Sequence, residues 1–202
     1  FTAAYFDYSG RYCYDNQPAI CRLNLEMLQA PLKRIISIAD MEAGLSKFDS
    51  YYEQFYQQRM LDRLGFDHLE PSFSKELIGL TIQFLKESQI GYQSFFWELT
   101  KQFSRSWRES ENHIFSELKI PDQSLQICFQ NWREKYHQAL NQLSEDEMLN
   151  VANRLYQHNP NVNLVRPAIE AIWQPITQDD NWLPFYELLN EIQAQPPLKT
   201  SL

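Results

Sequence analysis

The stretch Asp122–Leu143, DQSLQICFQNWREKYHQALNQL, decides the fold. Leu125, Cys128, Phe129, Trp132, Tyr136, Leu140 and Leu143 recur in it at intervals of three and four, the spacing of one apolar face on an α-helix. Ser144-Glu-Asp-Glu147 follows with the form of a capping box. A serine hydroxyl is there for an orphan amide and a glutamate can reach back, so a short helix is expected over 148–158.

The same period holds outward from this segment. Pro18 suits the first turn of a helix running toward Ile38, with Ile20, Leu23, Met27 and Leu28 on one side, and Pro31 should kink or break it. A helix over 41–64 places Leu45, Phe48, Tyr52 and Phe55 on one stripe, and Gly65 stands just past its end as a left-handed cap. Segments 72–87, with Phe73, Leu77, Thr81, Phe84 and Leu85, and 92–107, with Phe95, Phe96, Leu99 and Phe103, read as core-facing helices. Asn159-Pro160 marks a turn, and two last helices are expected over 165–173 and 184–193. No strong period-2 stretch competes, so the expected fold is all-α, about eight helices in one globular unit. The start of the chain differs: Tyr5, Phe6, Tyr8, Tyr12 and Tyr14 crowd around Ser9 and Gly10 with no helical spacing, an irregular aromatic segment.

Composition excludes several functions. Only 5 of 202 residues are glycine and no two lie closer than 12 positions, so neither a P-loop nor a dinucleotide fingerprint can form. The 18 basic and 26 acidic residues leave a net charge of −8, which repels phosphate backbones and makes nucleic acid an unsuitable partner. Apolar runs such as Leu77–Leu80 and Ile35–Ala39 are far too short to span a bilayer, so no membrane association is expected. The sequence opens at Phe1 without Met or a signal-peptide pattern and reads as a piece of something longer. Cys13, Cys21 and Cys128 match no zinc spacing and read as reduced cytosolic thiols, Cys128 as a small core residue.

Most candidate chemistry has a plainer account. His68, His113, His137 and His158 include no pair four apart, so no helical metal site is expected, and they read as surface or partly buried side chains. Asp49 and Glu53 fit a solvated helix face, and Phe95, Phe96, Trp97, Phe103 and Trp107 fit a core better than a cofactor slot. One segment differs: Asp7-Tyr-Ser-Gly-Arg-Tyr12 followed by Asn16-Gln-Pro18 puts a carboxylate, a hinge glycine, a guanidinium and two amides in a loop that leads into a helix. Binding groups concentrate on such loops.

Ser9-Gly-Arg-Tyr12, Asn16-Gln-Pro-Ala-Ile20 and Asn24-Leu25 resemble the Gly-Arg-Tyr, Asn-Gln-Pro and Trp-Asn-Leu run of the selenoprotein O family of kinase-fold protein adenylyltransferases. The likeness continues in order through Tyr52, Met60 and Leu64-Gly65, then Tyr92, Phe95, Phe96 and Leu99, then Trp132 and Tyr136. It ends with Asn159-Pro160, Arg166, Ala168-Ile-Glu-Ala171, Phe185 and Leu188-Leu189. The departures are Ala3-Ala-Tyr-Phe-Asp7 where the family has Cys-Asn-His-Ser-Asp, Leu23 in place of Trp, and a tail Lys199-Thr-Ser-Leu202 without Cys or selenocysteine. The family's redox pairing between those two regions therefore cannot form.

The resemblance implies a helical C-lobe portion of a protein-kinase-like fold, organised as an activation-segment-like loop over 1–17, a helical C-lobe over 18–195 and a tail over 196–202. It implies transfer of AMP from ATP, with Mg²⁺ or Mn²⁺, to Ser, Thr or Tyr hydroxyls of proteins in a bacterial-type cytoplasm. The family's metal-binding Asn and Asp, the neighbouring Asp that acts as base, and the phosphate-holding Lys and Arg have no counterpart in this sequence. No catalytic or metal-binding residue is therefore assigned to the chain, and alone it is expected to be silent. The expected partners are the missing N-terminal nucleotide-binding lobe and protein substrates, with Asp7, Arg11, Asn16 and Gln17 on the substrate-side loop. The alternative is a non-catalytic helical interaction module or a degenerate remnant of the family.

Overall fold

A computed structural model of the chain describes residues 10, 11, 13, 16–118, 120, 122–162 and 164–194. The described residues form nine α-helices and no strand: α1 (Gln17–Leu32), α2 (Ile38–Leu45), α3 (Phe48–Leu64), α4 (Pro71–Ser88), α5 (Tyr92–Gln102), α6 (Gln123–Gln142), α7 (Glu145–His158), α8 (Arg166–Asp179) and α9 (Leu183–Ala194). Short 3-10 turns over Arg105–Arg108 and Glu111–His113 link α5 to α6. The all-α expectation holds.

Local chemistry accounts for most boundaries. Pro18 lies in the first turn of α1, and the helix ends one residue beyond Pro31 instead of continuing to Ile38. The single helix expected over 41–64 is two, because the Ser46 N–H donates to Glu42 and Gly44 carbonyls and its hydroxyl to the Ala43 carbonyl at 2.8 Å, closing α2. Asp122 caps α6 by accepting the Leu125 N–H at 2.8 Å. The capping box before α7 is reciprocal: Ser144 Oγ accepts from the Glu147 N–H at 3.3 Å, and Glu147 Oε2 accepts from the Ser144 N–H at 2.7 Å. The helix expected over 165–173 runs on to Asp179 across Pro175.

The described residues fall into two compact units, one up to Gln57 and one from Gln58 onward. In the second unit α4 packs on α6 and α5 on α7. Trp132 and Tyr136, the aromatic pair of α6, are fully buried there. Trp132 Nε1 donates to Thr81 Oγ1 at 3.0 Å, and the Tyr136 hydroxyl donates to the Leu64 carbonyl at 2.9 Å, so both rings bury their apolar bodies without orphaning a polar tip. Phe84, Phe95, Phe115 and Phe129 close around Trp132 with ring centroids 5.4–6.4 Å away, edge-on, tilted or stacked. Phe95, Phe96 and Trp107 are thus core, as the sequence reads, with Phe103 packed against it.

The first unit is built differently. No described residue before Met60 is buried. Leu45 and Phe48 are half-buried, whereas Tyr52, at 43% exposure, and Phe55, at 52%, keep an open face. The stripe expected to face a core therefore lines an open surface, because among the described residues of this unit nothing covers it.

Candidate functional site

The loop singled out by sequence enters the described residues at Gly10. Its φ of +73° is left-handed, and a Cβ there would meet Cys13 Sγ at 3.1 Å, so only glycine suits the position. The loop closes on itself: the Cys13 N–H donates to the Gly10 carbonyl at 3.1 Å and the Asn16 N–H to the Cys13 carbonyl at 3.1 Å. Asn16 occupies the N-cap position of α1 but makes no side-chain cap bond. Its Nδ2 reaches back instead to the Gly10 carbonyl at 3.4 Å. Pro18 then removes one N–H that the first turn would leave unsatisfied.

Arg11 and Asn16 thus lie in the segment leading into α1, which Gln17 begins, with Asn16 tied back to the Gly10 carbonyl. Arg11 and Gln17 are exposed and Asn16 half-buried. Asp7, and with it any pairing of Asp7 with Arg11, lies outside the described residues. A guanidinium and an amide at the start of a helix are hydrogen-bond donors suited to a carboxylate, a phosphate or a peptide carbonyl. Such donors can orient a group of this kind but supply neither a nucleophile nor a base.

Two polar groupings escape sequence reading. Arg63 at the end of α3 lies with Cζ 4.7 Å over the Tyr92 ring and 4.2 Å over the Phe96 ring, while Nε donates to Asn159 Oδ1 at 3.2 Å and Nη2 to Gln93 Oε1 at 2.7 Å. Beside it in sequence, Asp62 is 5% exposed. Its carboxylate accepts from Gln58 Nε2 at 3.1 Å, with Arg59 and Arg154 Nη1 at 4.0 Å and His158 Nδ1 at 3.9 Å. These partners keep a buried charge satisfied, a structural task. The sequence signal was Asn159-Pro160, which reads as a turn and as part of the family resemblance, and gives no sign of the bond to Arg63.

Nucleotidyl transfer needs a divalent cation held by carboxylates or amides close to the phosphates. Among the described residues no group of three or more His, Cys, Asp or Glu side chains could hold a metal ion. The described donors do not fit a divalent cation. The cysteines are free: Cys21 is exposed, Cys13 half-buried and Cys128 buried. Burial, with the Glu87 carboxylate adding to it, pushes the Cys128 thiol up to about 11, the mark of an inert core thiol. No described helix is long and apolar enough to cross a membrane.

Comparison with known proteins extends the loop's neighbourhood to nearly the whole sequence. A family model described as protein adenylyltransferase SelO matches residues 1–193. A protein nucleotidyltransferase YdiU of Trichormus variabilis is 47% identical over 196 residues, covering 96% of this chain and 40% of the relative. Its counterpart in Gloeobacter violaceus is 48% identical over 193 residues, covering 96% and 39%. One in Synechocystis is 40% identical over 199 residues, covering 96% and 41%. The chain spans about 40% of the length of these curated relatives.

Proposed function

This chain belongs to the SelO family of protein adenylyltransferases, and from that premise we propose that it is the helical portion of an enzyme that transfers AMP from ATP, with Mg²⁺ or Mn²⁺, to Ser, Thr or Tyr hydroxyls of proteins. The carrying observation is the family match over residues 1–193 set against a span of only about 40% of each relative. Most of a relative's length, and with it room for the nucleotide-binding lobe, stands outside what this chain matches.

In this reading the turn carrying Arg11, Asn16 and Gln17, with Asp7 before it, faces the protein substrate. Asn16 shapes the turn through the Gly10 carbonyl, and the exposed Arg11 and Gln17 offer donors to the acceptor's backbone or acidic side chains. A non-catalytic interaction module is the second reading, favoured by the open apolar face of the first unit.

Incubating the 202-residue chain with ATP, Mg²⁺ or Mn²⁺ and an acceptor protein tests the division of labour. The expected result is no AMP transfer, and transfer above background refutes it. Arg11→Ala in a full-length parent tests the loop: lost activity at an unchanged melting temperature supports a substrate-side role, and lost stability opposes it.

A further inference from the structure

We propose that the groove between α1, α2 and α3 is the seat of an apolar helical segment supplied in cis by the part of the full-length protein that this chain does not span. The inference rests on the reading above that such a part exists. The groove has a volume of about 520 Å³. Leu28 of α1, Leu45 of α2, and Phe48, Tyr52 and Phe55 of α3 line it, with Gln29 among the few polar contributors and no charged residue. Leu28 is 49% exposed, Tyr52 43% and Phe55 52%, and no described residue of the unit is buried. The Phe48, Tyr52 and Tyr56 rings stack at 6.0–6.4 Å along one side of α3, a preformed aromatic ridge. Arg22 and Asp49, which pair at 2.6 Å, take no part in the lining.

A contiguous uncharged apolar surface of this kind marks an interaction site, and a trough between helices takes the apolar face of an amphipathic helix. Up to Gln57 the described residues of α1, α2 and α3 include no buried side chain, so this unit lacks the inner layer that stabilises a helical domain. The occupant follows from supply and shape. Each curated relative has more than half its length outside the match, and a segment on the same chain meets the groove at a high effective concentration. A second copy fits less well, because a two-fold contact sets trough against trough and fills neither.

The test grafts this chain in place of its matching region in the full-length Trichormus variabilis relative and compares the chimera with the isolated chain. Leu28→Glu and Phe55→Gln are placed in the groove, and Met27→Glu, 63% exposed and outside the lining, serves as the control. In the isolated chain all three variants should keep the parent's helical signal and melting temperature. In the chimera the two groove variants should melt about 5 °C lower or more, and bind an apolar dye that the parent chimera excludes, while Met27→Glu changes neither. Should the chimera not fold, the same two substitutions at the aligned positions of the unmodified relative give the same readout.

Equal melting of groove and control variants overturns the proposal. So does a dimer of the isolated chain that Leu28→Glu dissolves, which makes a second copy the occupant. AMP transfer measured on the same proteins keeps the two readings apart. A groove effect in an inactive chimera sinks the activity and leaves the groove standing, and an active chimera indifferent to groove variants does the reverse.

Discussion

Arg63 and Asn159 clasp each other across 96 positions of sequence: Arg63 Nε donates to Asn159 Oδ1 at 3.2 Å, and Asn159 Nδ2 donates back to the Arg63 carbonyl at 2.9 Å. Asn159 is 1% exposed, and its amide also donates to Thr100 Oγ1 at 3.2 Å. One residue thus ties the end of α3 to α5 at the point where α7 stops. Asn159→Ala removes the acceptor from a guanidinium lying over two rings and a donor from a helix-end carbonyl. We expect a loss of about 2–3 kcal/mol in urea unfolding followed by tryptophan fluorescence. Arg63→Lys should recover little, since an ammonium cannot stack on Tyr92 and Phe96 while bonding both Gln93 and Asn159.

Two glycines should respond oppositely to the same change. Gly65 has φ +91°, and a Cβ there would lie 2.9 Å from Val151 Cγ1 and 3.0 Å from Leu155 Cγ, so Gly65→Ala should cost about 2 kcal/mol or more. Gly79 lies inside α4 with nothing within 4 Å of its would-be Cβ. Gly79→Ala should therefore raise stability by about 0.5–1 kcal/mol. Equal effects in thermal melts would contradict the packing of α7 on the Gly65 turn.

Stability should fall on the alkaline side through a thiol and a phenol. Burial holds the Cys128 thiol at about 11, above its unfolded value near 8.5, and raises the Tyr136 hydroxyl as well. A raised folded value means the contribution is present below the unfolded value and is lost as pH rises through the folded one. Unfolding midpoints should hold to about pH 8.5 and drop steadily toward pH 11, less so in Cys128→Ala. At pH 8 a thiol reagent should label Cys21 fast and Cys128 only at the rate of unfolding.

The acid side is governed by helix starts. The Ser72 hydroxyl and Phe73 N–H lower Glu70, the Ser124 hydroxyl and Leu125 N–H lower Asp122, and the Ser144 hydroxyl and N–H lower Glu147. A lowered folded value gives stabilisation that is full above the unfolded value, about 4, and lost as pH falls through the depressed one. The first turns of α4, α6 and α7 should fray together below about pH 4, seen as a loss of helical circular dichroism. Glu147→Gln should flatten the part of that titration that belongs to α7.

What could be read in advance follows the range of the interactions involved. The face of α6, the capping box at Ser144 and the stop at Gly65 are local, set by residues within a turn or two, and all three stand in the structure. The break between α2 and α3 was hidden because Ser46-Lys47 is compatible with a continuous helix, and only the fold of the Ser46 amide back onto α2 decides it. Periodicity also told that Phe48, Tyr52 and Phe55 share a face, but a face says nothing of whether something covers it. At the loop, Gly10 and Asn16 were legible as special residues, whereas their bond to each other was not. The Arg63–Asn159 clasp has no local signature at all.

The uneven distribution of buried side chains also bears on how the polypeptide is made. The helices before Gln57 leave the ribosome ahead of every residue of the Trp132 core, and they carry Leu28, Tyr52 and Phe55 outward with nothing of their own to place over them. Until a covering segment docks there, that stretch presents the kind of apolar surface that makes a partly folded chain prone to aggregate.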